Sequence, residues 1–376
     1  MQEPDKRDPL AIVAIDDEPH VAERLLDPLD DDPECSLNVI DVMALQQEQN
    51  VDLILSADLI LVDHELRAWS RNRPPQPSDG LALLRVLQRY IERSRESRLC
   101  STALFSAELK ALSELPDDTR AHVLARVHGF EWAFAKRPGQ IDLTTAVKSL
   151  AQATATLREA FRDLESPAER MEVLLRLLAV DDVAWRDEAR LHIERCRPPV
   201  YEVAGDSHGA ATLRWLLQRI LPYPTFLYDM ANFAARLGLP RSTYVQHQLA
   251  LDELFQPARY TGILADFAGP RYWRFRVDAT FTDLGIDPND ARAVRAALDA
   301  RVGTALPFVA HARPVPVLDE TYQAEDVPVP PNESVRVLLD DWPTYAEPAR
   351  VSRKLGDSPL RGLVVDTDRR LLPVDD

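Results

Sequence analysis

The chain has 376 residues, 45% of them hydrophobic, which suits two or three domains each able to bury a core. Its 61 acidic against 44 basic residues leave a formal net charge of −17, which argues against a generic nucleic-acid or anionic-membrane binder but not against a local basic face. Cys35, Cys100 and Cys196 lie far apart with no second Cys or His at ligand spacing, so neither a disulfide framework nor a zinc motif is expected, as suits a reducing cytoplasm. The polar start MQEPDKRDP predicts no signal peptide, and no apolar run approaches membrane-spanning length. Arg greatly outnumbers Lys, as in GC-rich bacterial coding sequences.

In residues 10–19, LAIVAIDDEP, six apolar residues run into Asp16, Asp17, Glu18 and Pro19. The run reads as a strand buried on both faces, with two acids where open α/β sheets place ligands. Adjacent carboxylates repel, and a divalent cation relieves that; a polar loop after a core strand is the alternative. Residues 19–29 follow at helical spacing with Pro19 in the first turn. Residues 37–43 (LNVIDVM) read as a second strand, 44–50 as a short helix or turn, and 58–63 (DLILVD) as a third strand closing on Asp63.

An Arg- and Pro-rich loop covers 67–77, and Asp79-Gly80 opens an amphipathic helix. Residues 101–107 (STALFSA) read as a fourth strand ending at Ser106. A helix around 116–128 leads through Gly129 to a fifth strand, 130–135, followed by Lys136-Arg137-Pro138, and a helix from about 141 to 164. Strands alternating with helices predict an α/β, doubly wound, five-stranded parallel sheet. Its strand ends would bring Asp16, Asp17, Asp63, Ser106 and Lys136 to one edge.

With these pieces in this order, the first 150 residues resemble the receiver domain of two-component response regulators. The resemblance rests on Asp16-Asp17, Asp63, Asp79-Gly80-Leu81, Ser106-Ala107 and Lys136. It implies a flavodoxin-like sheet of order 2-1-3-4-5 and Asp63 as phosphoacceptor. It also implies Mg²⁺ held by Asp17 and Asp63, with Asp16 acting directly or through water and the Glu65 backbone carbonyl as a further ligand. Ser106 would bond a phosphoryl oxygen and Lys136 would neutralise charge. A sensor histidine kinase or phosphotransfer protein is the implied upstream partner. Beyond accepting a phosphoryl group, the chain is not expected to be an enzyme.

Three departures stand out. Arg137 separates Lys136 from Pro138, where the family has Lys-Pro; alignment on the proline would put Arg137 at the cation position and Phe134 at the aromatic switch position. The loop after Asp63, with His64, Glu65 and Trp69, is longer than usual. The LKALSELPDD link after strand four is unusual. The strand pattern favours Lys136 in the pocket, and a receiver fold that is not phosphorylated is the alternative.

The rest divides, on the pattern, into a connector helix over 151–164, a helical output module over 165–260 and an α+β region over 261–376, after a receiver over 9–150. Helices are expected over 166–196, 209–221 and 226–255, the last with a turn at 237–240, and over 287–301. Within 230–255 a helix-turn-helix-like segment has Ser242 as a cap and Arg241, Tyr244, Gln246 and His247 on its second helix, but few basic neighbours. Residues 271–279 (RYWRFRVDA) read as a strand whose Arg271, Arg274 and Arg276, with Tyr272, Trp273 and Phe275, form either an anion or RNA site or a half-buried strand. Residues 314–331 read as an extended linker or edge strand, and 335–339 and 363–365 as short strands. His192, His208 and His247 read as surface or capping residues. No Gly-rich phosphate loop, histidine pair or nucleophile elbow appears over 165–376. The favoured output is therefore a protein–protein contact with a partner the sequence does not name, and a homodimer is allowed. A DNA-binding regulator using 230–255 and a receiver-regulated effector enzyme are the alternatives.

Overall fold

Leu10–Asp16 forms β1, with every residue from Ile12 to Asp16 buried, as an apolar run covered on both faces requires. The structure, a computed structural model, describes residues 8–66, 79–94, 98–107, 109, 112, 120–137, 142–201, 208–311, 313–354 and 358–372. The loop with Trp69, most of the LKALSELPDD link and Pro138 lie outside the described residues.

β1 pairs in parallel with β2 (Cys35–Asp41) and β3 (Leu59–Asp63); β3 pairs with β4 (Ser101–Ser106), and β4 with β5 (Trp132–Ala135). The order is β2-β1-β3-β4-β5, the doubly wound arrangement expected. The helices between them are α1 (Pro19–Asp30), α2 (Glu48–Ser56), α3 (Gly80–Arg93) and α4 (Ala121–His128), with α5 (Leu143–Ala160) after β5. Pro19 occupies the first turn of α1, where its missing N–H costs nothing. Asp79 caps α3 by accepting the Ala82 N–H at 2.9 Å, and Asp142 caps α5 through the Thr145 N–H at 2.8 Å. Helix α5 packs on β1, β3 and β4, while α3 packs on β3 and β4 and α4 on β5.

The chain forms two compact units. The first holds the sheet and also residues 167–177, 198–218 and 263–268. Within it, α6 (Pro167–Leu177) follows α5, and α8 (His208–Trp215) packs along α5. Arg214 of α8 reaches Glu131, a carboxylate only 3% exposed. Glu131 also accepts the Thr102 N–H at 2.7 Å and the Thr102 hydroxyl at 3.0 Å, which ties the start of β5 to β4.

The second unit contains α7 (Arg186–Arg195) and an antiparallel pair, β6 (Leu227–Tyr228) with β7 (Tyr272–Trp273). It also contains α9 (Met230–Arg236), α10 (Arg241–Gln246), α11 (Gln248–Leu254), α12 (Arg274–Asp283) and α13 (Ala291–Val302). Phe233, Tyr244, Phe255, Tyr272 and Phe281 centre its core. A smaller core around Val335, Val351 and Leu360 lies beneath the antiparallel pair β8 (Ser334–Arg336) and β9 (Arg350–Ser352).

Several expected elements are corrected. The helix over 166–196 is two helices, α6 and α7, interrupted at Ala179, whose φ of 57° no helix accommodates. The helix over 209–221 is α8 followed by a wide π turn over 216–220. The helical 226–255 begins with β6 instead. The strand over 271–279 is only two residues long; from Arg274 the chain is helical, because Trp273, Val277 and Phe281, four apart, are the buried positions. Residues 314–331 fold back on themselves through the bridges Val315–Val329 and Leu318–Ala324, and 363–365 contributes only the bridge Val337–Val364, since β9 is the partner of β8.

Candidate functional site: an acid cluster around a lysine

The parallel register brings four strand ends to one edge of the sheet. Asp16 ends β1, Asp63 ends β3, Ser106 ends β4, and Lys136 follows β5 directly. Ser106 pairs with Ala135 across the β4–β5 ladder, and the Lys136 N–H extends it to the Ser106 carbonyl at 2.8 Å. Asp16 and Ser106 are each 1% exposed and Asp63 is 7% exposed, whereas Asp17 is half-buried on the open side.

The Lys136 ammonium sits between two of these acids, 2.7 Å from Asp16 Oδ2 and 3.0 Å from Asp63 Oδ1, and lies 5.2 Å from the centre of the Phe105 ring. Arg137 is exposed. Lys136, the residue the strand pattern favours for the pocket, therefore lies between Asp16 and Asp63. Asp16 uses its other oxygen to accept the Glu18 N–H at 2.8 Å, which fixes the carboxylate's orientation.

Burial pushes the Asp63 carboxyl up to about 6, with the Asp16 charge adding to the rise while Lys136 and the His64 N–H oppose it. The folded-state value thus lies above that of an unfolded chain. The associated stability is complete below about pH 4 and lost as pH rises through about 6, on the order of 2–3 kcal/mol. In chelator-treated buffer, the wild type should lose that much stability between about pH 4 and 7 relative to Asp63→Asn. Parallel urea titrations check this; coincident pH profiles would show that Asp63 carries no such burden.

Asp16, Asp17 and Asp63 each offer a carboxylate oxygen within 4.8 Å of the others, and among the described residues this is the group of acids, histidines or cysteines that could hold a metal. Two of these three carboxylates, Asp16 and Asp63, share the Lys136 ammonium. All the donors are hard oxygens, so the set fits Mg²⁺. Glu65 is half-buried two residues past Asp63; its carbonyl is the further ligand implied by the resemblance.

Sequence reading did not single out Gly80 beyond its place in the Asp79-Gly80 helix start. Its N–H donates to the His64 carbonyl at 2.9 Å, and a Cβ at this position would lie 1.9 Å from the Asp63 carbonyl oxygen. The start of α3 therefore rests directly on the backbone at the end of β3 only because residue 80 has no side chain. The signal was in the sequence, as an Asp-Gly pair, but its reason is tertiary.

The other candidate regions are less open. Tyr244, on the second helix of the helix-turn-helix-like segment, is fully buried and donates to Asp252 Oδ1 at 2.7 Å. Ser242 does not cap α10; its N–H and hydroxyl both bond the Asp326 carboxylate, each at 2.7 Å. That carboxylate puts negative charge at the helix start, where a DNA phosphate would need to approach. In 271–276, Tyr272 and Trp273 are fully buried, and Arg271 spends its guanidinium on the carbonyls of Gly269, Pro270 and Leu221. Arg274 pairs with Glu347 and Arg276 with Asp283, so of the two readings the segment matches the half-buried one, with its arginines ion-paired. His208 is buried at the start of α8, and His192, in the last turn of α7, is half-buried and stacked on Phe275 at 5.1 Å. No described helix is long and apolar enough to cross a membrane.

No family model and no curated protein matches the chain. Among solved structures, RcsB from Salmonella enterica serovar Typhimurium, bound to promoter P1flhDC in the presence of the phosphomimetic BeF3−, aligns over 55% of this chain and 97% of its own. The identity is 16% and the TM-score 0.23, and a match at that score carries no argument about fold or function. The doubly wound fold rests on the strand order and register of the chain itself, and the site is an acid cluster built around a buried lysine at the carboxyl edge of that sheet.

Proposed function

We propose that this chain is a receiver-type signalling protein that accepts a phosphoryl group on Asp63 and passes the change to an output in the rest of the chain. The observation that carries the reading is the Lys136 ammonium between Asp16 and Asp63, with Asp17 close enough to share a cation. Phosphoryl transfer needs positioning and charge neutralisation more than covalent machinery, and this edge of the sheet supplies both.

In the step itself, an Asp63 carboxylate oxygen forms the new bond to phosphorus while the bond from phosphorus to the leaving group breaks. With acetyl phosphate the leaving group is acetate, and no proton has to move. An Asp63 carboxyl near 6 is still mostly ionised at neutral pH and so remains a nucleophile. Lys136, already held over Asp63, neutralises charge on the transferring group. Asp16 holds Lys136 in place, and the Ser106 hydroxyl, at the end of the neighbouring strand, is the donor for a phosphoryl oxygen. Asp16, Asp17 and Asp63 would hold Mg²⁺, which supplies further charge neutralisation when bound.

The donor in this reading is a sensor histidine kinase or phosphotransfer protein of a bacterial cytoplasm, and the output is a protein–protein contact. The carboxylate at the start of α10 and the buried Tyr244 count against DNA as the output ligand. Acetyl phosphate with Mg²⁺ should add one phosphoryl mass to the wild type, read by intact mass. The gain should be absent in Asp63→Asn and abolished by chelator. No gain from any donor would overturn the reading.

A further inference from the structure

Strand β5 has the pocket cation at its end and two large rings along its length. Trp132 and Phe134 alternate with Ala133 and Ala135, so both rings share one face, and Lys136 comes next. On the same rings sits Phe267, which meets Trp132 edge-on with centroids 4.9 Å apart and Phe134 with centroids 6.2 Å apart. Phe267 is 1% exposed. It belongs to residues 263–268, a short segment counted with the sheet, although Gly262 before it and Gly269 after it belong to the second unit.

The segment is pinned and strained at once. The Ile263 N–H donates to the Leu177 carbonyl at 2.7 Å and the Phe267 N–H to the Leu264 carbonyl at 3.1 Å. Leu264 has φ 63°, an unfavourable backbone for a side chain of its size, and Gly269 turns the chain out at φ 77°. Burial of Leu264 and Phe267 therefore works against backbone strain within the same few residues. Such a contact responds to small movements of the surface beneath it. That surface is an edge strand of four residues, laddered on one side only.

We propose that residues 263–268 are a strap that reports the state of Asp63: docked on β5 through Phe267 when Asp63 is unmodified, and released when Asp63 is phosphorylated. The inference rests on the reading of Asp63 as phosphoacceptor. A phosphoryl group replaces one carboxylate charge with a larger negative charge, which draws the Lys136 ammonium out of its place between Asp16 and Asp63. The Lys136 N–H is the terminal rung of the β4–β5 ladder, so a shift there passes to Phe134 two residues back and to the ring packed on it. Packed contacts of this kind have discrete arrangements and do not deform continuously. Because the strap is continuous with the second unit at both ends, its release alters the constraint on that unit's chain without any new ligand.

The test is amide hydrogen exchange on the full chain, with and without acetyl phosphate and Mg²⁺, with intact mass read on the same samples. Phosphorylated wild type should exchange the Ile263 and Phe267 amides about tenfold faster or more than the unmodified protein, and Asp63→Asn should show no change. Phe267→Leu, which keeps an apolar side chain but loses both ring contacts, should exchange these amides faster before phosphorylation and still gain the phosphoryl mass. A phosphoryl gain with unchanged or slower exchange over 263–268 would overturn the strap and leave the phosphoacceptor reading intact. Unchanged exchange in unmodified Phe267→Leu would also overturn it. Absence of the mass gain itself would remove the phosphoacceptor reading and the strap with it.

Discussion

Replacing Lys136 by methionine should cost about 3–5 kcal/mol of stability in metal-free buffer at neutral pH. The ammonium is 7% exposed and is shared by two carboxylates at 2.7 and 3.0 Å, so little water stands ready to replace it. Methionine fills a similar volume, which keeps the loss electrostatic rather than a matter of packing. Asp16 and Asp63 are then left buried beside each other without a counter-charge, and Asp63 already ionises with difficulty. Two features separate this loss from ordinary core damage. It should shrink as pH is lowered toward 5, because protonating Asp63 removes one of the repelling charges. It should also shrink in millimolar Mg²⁺, which would restore positive charge among Asp16, Asp17 and Asp63. Urea titrations of both proteins at two pH values, with chelator and with Mg²⁺, check all of this. A loss indifferent to pH and to the metal would mean that Lys136 matters for shape alone.

Gly80→Ala should be at least as damaging, on the order of 3–5 kcal/mol, despite the helix propensity of alanine, worth only about 1 kcal/mol in its favour. The added Cβ would lie 1.9 Å from the Asp63 carbonyl oxygen, 2.7 Å from its carbonyl carbon and 2.9 Å from the His64 Cα. All three are backbone atoms, so no side chain can swing aside. Either the start of α3 backs away and surrenders the Gly80 N–H bond to the His64 carbonyl, or the end of β3 moves and takes Asp63 with it. Phosphoryl acceptance should therefore fall together with stability. Gly129→Ala is the contrasting control: that residue is left-handed at φ 77°, but its Cβ would meet nothing within 4 Å. The cost there should be only about 1 kcal/mol, with phosphoryl acceptance unchanged. Thermal or urea midpoints of the two variants, with intact mass after acetyl phosphate, distinguish a steric effect at the site from a general intolerance of change at glycine.

The sheet was legible because its strands announce themselves. Apolar runs such as LAIVAID and DLILVD are too continuous for a half-exposed strand, and each closes on the charged residue that marks its carboxyl end. Patterning served less well from residue 165 onward. RYWRFRVDA alternates large and charged residues over a window short enough to satisfy a strand, yet its buried positions Trp273, Val277 and Phe281 recur at a helical interval that becomes visible only when the window is lengthened. The helix-turn-helix-like segment was ambiguous for a different reason. Local spacing cannot show that the carboxylate at the start of α10 comes from Asp326, 84 residues further along the chain.

By itself, then, the sequence determined which residues end the strands and hence which chemistry one edge of the sheet can hold: three acids, a hydroxyl and an amine. That information is local, carried by hydrophobic runs and the polar residues that stop them. Only the tertiary structure decided that the Lys136 ammonium sits between Asp16 and Asp63, that Gly80 is required by a backbone approach, and that Phe267 covers the rings of β5. Each of these depends on distances between segments remote in the chain. Such distances follow from packing the whole unit, and no window of sequence contains them.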